Sequence, residues 1–137
     1  MTDYGKYILS PDIRKTSEIK YHYDNAPGDR YVFLDKKKCP ESSIYTIVRV
    51  AKNIDSDQDS YIDPHTHTCD SEFLFIGDND DMTGLKARVW LGDEEFVVES
   101  PAAVFVPKNV EHTLQLIEGS GKFINIVTHP EYNNSLK

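Results

Sequence analysis

The chain has 137 residues, enough for one domain with a real core, and 39% of them are hydrophobic against 28% charged. Its 15 Lys and Arg face 23 Asp and Glu, a formal net charge of −8, which opposes a phosphate backbone and argues against nucleic acid as a partner. No apolar run approaches the roughly 18 residues needed to span a bilayer, which argues against a membrane.

The N-terminus, MTDYGKYILS, has neither the positive start nor the apolar centre of a signal peptide. Together with Cys39 and Cys69, thirty residues apart and too sparse for a disulfide framework, it predicts a reducing, cytoplasmic setting. Residues 1–29 read as an N-terminal arm rich in tyrosine (Tyr4, Tyr7, Tyr21, Tyr23). Within it, Ser10-Pro11-Asp12 suits the start of a short helix over Ser10 to Lys20, or an irregular arm. The basic run Lys36 to Lys38 reads as a solvated turn.

Residues 30–137 read as one all-β domain. Short apolar runs rich in β-formers follow one another: Tyr31 to Leu34, Ile44 to Ala51, a run through two histidines, and Glu72 to Gly77. Lys86 to Leu91, Glu95 to Glu99, Ala102 to Val106, His112 to Ile117 and Lys122 to Thr128 complete the set. Turn residues separate them. Gly92-Asp93 is a two-residue hairpin signal, and EGSG at Glu118 to Gly121 reads as a turn. The acidic DSDQD at Asp55 to Asp59 lacks the glycine and distal glutamate of a calcium loop and reads as a hairpin tip. Eight or nine such strands with hardly any helix mean a sandwich or barrel.

The stretch DPHTHTCDSEF carries the chemistry. Alternation along a strand puts His65 and His67 on one face, about 7 Å apart, from where both imidazoles can reach one ion. Glu72 follows after a short turn, and His112 opens a later strand just after a Pro–Asn turn. Three imidazoles and a carboxylate suit Fe(II), Mn(II), Ni(II), Cu(II), Co(II) or Zn(II). Cys69 stands between His67 and Glu72 and reads as structural; His22 and His129 have no partner at ligand spacing and read as surface residues.

These residues resemble the cupin superfamily, whose two motifs are G(x)5HxH(x)3-4E(x)6G and G(x)5PxG(x)2H(x)3N. His65, His67 and Glu72 fit the first, and Pro107 and His112 fit the second. The fit runs from about Tyr45 to Thr128. The motif glycines are replaced by Asp59, Asn79, Pro101 and Asn109, and the terminal Asn by Leu116. Asparagine tolerates the left-handed backbone, so Asn79 and Asn109 can stand in for glycine. The resemblance implies a double-stranded β-helix (jelly-roll) barrel, one divalent metal on His65, His67, Glu72 and His112, and a homodimer. It also implies a fork in function. A non-haem dioxygenase, with Fe(II) favoured, acting on a small oxygen-bearing molecule is preferred. An isomerase, lyase or decarboxylase using the metal as a Lewis acid, or a non-catalytic ligand-binding module, is the alternative.

Strand parity counted from Glu72 points Leu74 and Ile76 inward and Phe73 and Phe75 outward, to be covered by a second subunit or by the N-terminal arm. Leu114 and Leu116 should line the barrel with His112. Arg49 lies in an apolar run and is either a half-buried strand residue with its head in water or an inward partner for a substrate carboxylate. Tyr45 shares its face as a hydrogen-bond donor.

Overall fold

The computed structural model describes residues 3–55 and 61–136. Eight strands run in chain order: β1 Asp12–Arg14, β2 Arg30–Leu34, β3 Tyr45–Ile54, β4 Ser71–Gly77, β5 Leu85–Leu91, β6 Glu94–Glu99, β7 Ala102–Val106 and β8 His112–Val127. One short helix, α1 Tyr132–Ser135, closes the chain. Every pairing between these strands is antiparallel, and one layer has the order β1-β2-β3-β8-β4-β7.

The sixteen-residue β8 belongs to both layers. Its first half, from His112, pairs with β5, which pairs with β6; its second half, to Val127, lies between β3 and β4. The expected turn at Glu118 to Gly121 is therefore a bend within one strand. Gly119 makes the bend possible: its φ is +96°, and a Cβ there would lie 1.9 Å from the carbonyl oxygen of Gly84. Gly92 turns the β5–β6 hairpin at φ +63°, as its sequence predicts.

Period-2 burial defines the core. Tyr45, Ile47, Arg49 and Ala51 of β3 point inward, as do Phe123, Asn125 and Val127 of β8 and Leu85, Ala87 and Val89 of β5. In β4 the inward residues are Ser71, Phe73 and Phe75, with Phe73 and Phe75 only 2% and 1% exposed. Both pack on Phe123 at 5.4 Å between ring centroids, Phe75 stacked and Phe73 edge-on. This reverses the expected parity: Glu72, Leu74 and Ile76 face outward, half-buried. The reason is the turn after His67, which delivers Ser71, not Glu72, to the interior as the strand begins. Leu114 and Leu116 are buried as expected.

The arm contains no helix over Ser10 to Lys20. Asp12–Arg14 instead pairs with β2, and Thr16–Glu18 forms a single 3-10 turn. Ile13 is exposed and Ile19 buried, so the segment has no helical apolar stripe to bury. The expected hairpin tip at Asp55 to Asp59 lies almost wholly outside the described residues. The basic run at Lys36 to Lys38 is a turn, with Lys36 and Lys37 exposed. No helix among the described residues is long and apolar enough to cross a membrane.

Candidate metal centre

His65 and His67 belong to no regular strand. Isolated bridges hold them, His65 to His112 and His67 to Leu136, yet burial still alternates across His65, Thr66 and His67. His112 opens β8, and reciprocal backbone bonds of 3.1 and 2.9 Å fix it opposite His65. The turn before it runs through Asn109, whose φ of +68° is the left-handed conformation that its motif position demands. Asn79 does not repeat this; in that turn Met82 and Gly84 take the positive φ.

One ring nitrogen from each of His65, His67 and His112 lies within 4.8 Å of the others, and all three residues are buried. The neighbouring hydrogen bonds say which nitrogen is free. The Nδ1–H of His65 donates to the Asp63 carbonyl at 2.7 Å, and that of His112 to the Val110 carbonyl at 2.9 Å. The Nδ1–H of His67 donates to Ser135 Oγ at 2.7 Å; that hydroxyl in turn donates to the Tyr132 carbonyl at 2.6 Å. With Nδ1 committed in every case, three Nε2 lone pairs remain for an ion, the arrangement seen at histidine metal sites. Burial keeps the rings neutral, pushing His67 down to about 3 and His112 to about 4, and lowering His65 as well. Neutral, oriented imidazoles fit a divalent ion.

Glu72 is not part of this group. It pairs across the outer face with Phe105, itself 61% exposed, while Phe73 takes the inward position and packs 5.9 Å from the His112 ring. Cys69 is also outside the group; burial raises its thiol, and neither Cys39 nor Cys69 is in a disulfide.

The structure brings in residues that motif spacing did not single out. His22, expected on the surface, is buried, with its ring 5.1 Å from that of His65. The buried Tyr132 places its hydroxyl 2.9 Å from His65 Nε2 and 3.1 Å from His22 Nε2. His22 precedes His65 by 43 residues and Tyr132 follows by 67, so no local spacing could have announced either. His129 stays apart, where its Nδ1 accepts from the backbone N–H of Glu131.

A cavity of about 30 Å³, room for about two waters, adjoins the histidines. Arg49 lines it, buried rather than extended to water, and burial lowers its pKa. Its guanidinium donates to Thr16 Oγ1 at 2.8 Å and to the Gly28 and Pro27 carbonyls at 2.9 and 3.4 Å, with no carboxylate among these partners. The Tyr45 hydroxyl accepts from Arg30 Nη2 and Nε at 3.0 and 3.2 Å, and Arg30 also pairs with Glu18 at 3.0 Å. Asn125 faces the same cavity with a buried Oδ1 that has no hydrogen-bond partner.

No protein-family model matches the chain, and no curated protein sequence does. Solved structures do. A single-substitution variant of oxalate decarboxylase from Bacillus subtilis superposes with a TM-score of 0.56 at 14% identity, covering 95% of this chain and 33% of that one. The iron(II) form of HppE gives 0.60 at 18% identity, covering 93% and 62%. A conserved Streptococcus pyogenes protein of unknown function, SPY1581, gives 0.56 at 16%, covering 96% and 97%. The chain thus spans about a third of the decarboxylase and under two thirds of HppE. At these identities the likeness is one of fold. The chain has the cupin fold, a jelly-roll of antiparallel strands with a three-histidine group inside it.

Proposed function

We propose that this chain is a metal-dependent cupin enzyme for a small oxygen-bearing molecule, with one divalent ion held by His65, His67 and His112. The observation that carries the reading is the convergence of three buried, neutral imidazoles whose Nδ1 atoms are all engaged elsewhere. Fe(II) is favoured, and Mn(II), Ni(II), Cu(II), Co(II) or Zn(II) would suit the same nitrogen set. When bound, such an ion supplies a Lewis acid and, if it is iron, a redox centre for dioxygenase chemistry.

The chain's own residues do the rest. Arg49 brings a buried positive charge to the cavity wall and Asn125 an unfilled acceptor; both are suited to the oxygen and hydroxyl groups of a small substrate. Tyr45, fixed by Arg30, presents its hydroxyl beside them. Phe73, Phe123, Ile47 and Leu114 wall off water, which strengthens every polar contact inside.

Metal analysis of protein purified without added metal or an affinity tag tests the core of this reading. One equivalent is expected, lost in His65→Ala and in His112→Ala. Full metal in both variants would refute the site. Oxygen consumption by the Fe(II)-reconstituted protein then separates dioxygenase chemistry from anaerobic turnover with Zn(II) or Mn(II), the mark of an isomerase, lyase or decarboxylase. The narrowness of the cavity favours one second reading, a small-ligand-binding module, which would bind its ligand without turnover under either condition.

A homodimer belongs to the same proposal. The face expected at Phe73 and Phe75 lies in the core and cannot carry it; what supports it is the exposure of Phe96, Val97 and Phe105 on the edge strands β6 and β7, 44%, 58% and 61%. Sedimentation of the wild type against Phe105→Lys reads the association state directly. The two unbonded cysteines accord with a cytoplasmic setting.

A further inference from the structure

Counting protons around Tyr132 shows a conflict that a metal ion would resolve. The Nδ1 of His22 lies 2.6 Å from the Lys20 carbonyl and that of His65 lies 2.7 Å from the Asp63 carbonyl. Carbonyl oxygens only accept, so each Nδ1 carries its proton and each Nε2 carries a lone pair. The Tyr132 hydroxyl sits between these two lone pairs, 2.9 Å from His65 and 3.1 Å from His22. It has one proton to give. Whichever nitrogen receives it, the other would meet the phenol oxygen lone pair to lone pair, with all three side chains buried.

A cation on His65 Nε2 removes the conflict. The phenol hydrogen bond then goes to His22, and the phenol oxygen turns its remaining lone pairs toward the same cation. Two donor atoms set at right angles, each about 2.1 Å from an ion, lie about 3.0 Å apart, matching the 2.9 Å between Tyr132 oxygen and His65 Nε2. The Tyr132 ring also packs at right angles to that of His67, 4.9 Å between centroids.

We propose that the Tyr132 oxygen is the fourth protein donor to the metal, hydrogen-bonded on its other side to His22, in the role that the sequence motif assigns to Glu72. The proposal rests on the three-histidine reading above. In it, α1 does two jobs at one centre: Tyr132 donates to the ion while Ser135 orients His67. Glu72, outside the barrel, takes no part.

Copper(II) alone is the probe, since a tyrosine oxygen on that ion gives a charge-transfer band in the visible region that imidazole ligands do not. Wild-type protein loaded with one equivalent should show the band. Its resonance Raman modes should shift when the protein is grown on ring-deuterated tyrosine, a test that needs no substitution. Tyr132→Phe should lose the band yet keep one copper, with affinity reduced about 10- to 100-fold. His22→Gln, which keeps an acceptor, should retain the band at a shifted wavelength, and Glu72→Gln should leave band and copper content unchanged. Stoichiometric copper in the wild type with no tyrosine-derived band would overturn the proposal and leave the three-histidine site standing. Absence of bound copper would overturn both.

Discussion

Acidifying the metal-free protein from pH 7 to pH 5 should remove much of its stability, and the structure gives the size of the loss. Burial pushes His22 and His67 down to about 3 and His112 to about 4, from an ordinary value of 6.5. In the unfolded chain these rings take up protons as pH falls below about 6.5; in the fold they stay neutral until far lower. The unfolded state therefore binds more protons throughout that window, so stability is complete above about 6.5 and drains away as pH falls toward 4 and then 3. At pH 5 each ring forfeits about 2 kcal/mol, a gap of about 1.5 pH units at about 1.36 kcal/mol each, and the three together about 6 kcal/mol. That rivals the whole stability of a typical domain, about 5–15 kcal/mol. Carboxylates titrate mainly below pH 5, so the interval from pH 7 to pH 5 isolates the histidines. Urea denaturation with a chelator present, at half-unit pH steps, is the assay. His22→Gln should flatten the slope by about a third, and saturating Zn(II) should move the onset to lower pH by holding the imidazoles neutral. A loss below about 2 kcal/mol between pH 7 and 5 would refute the argument that these rings are buried and neutral together.

Further expectations concern single residues. Ser135→Ala removes the acceptor for His67 Nδ1–H and the donor to the Tyr132 carbonyl, both in a fully buried place. Metal affinity measured against a chromophoric chelator should fall about 10- to 100-fold, and stability by about 1–3 kcal/mol. Asn109→Ala should cost about 1 kcal/mol in thermal or urea unfolding because its φ is +68°, while Asn109→Gly should cost little or nothing. Phe75→Ala should cost about 3–5 kcal/mol by the same measurement, a loss that an outward-facing Phe75 would not produce.

Much of this protein was legible from local pattern. The β-rich runs, the hairpin at Gly92, the shared face of His65 and His67 and the left-handed turn at Asn109 each depend on a few neighbouring residues, and each was found. Local pattern fails where a count passes through a turn. Parity along β4 counted from Glu72 sends Leu74 inward, but the path of the preceding turn sets which residue enters the interior first. A one-residue slip exchanges every side chain between core and surface. Glu72 left the site for that reason, and Phe73 and Phe75 entered the core. EGSG reads as a turn, yet Gly119 bends β8 without ending it, because pairing to β5 on one side and to β3 and β4 on the other holds both halves extended.

The chain alone determined its class, an all-β barrel carrying histidines where an ion can gather them, because alternation and turn chemistry act over a few residues. Only the tertiary structure decided what completes the centre. His22 from the arm, Tyr132 and Ser135 from the terminal helix, and Arg49 turned inward beneath Thr16 meet across 33 to 110 residues of chain. Contacts of that range are set by how the sheets close and what then fills the barrel mouth, which no short stretch of sequence encodes.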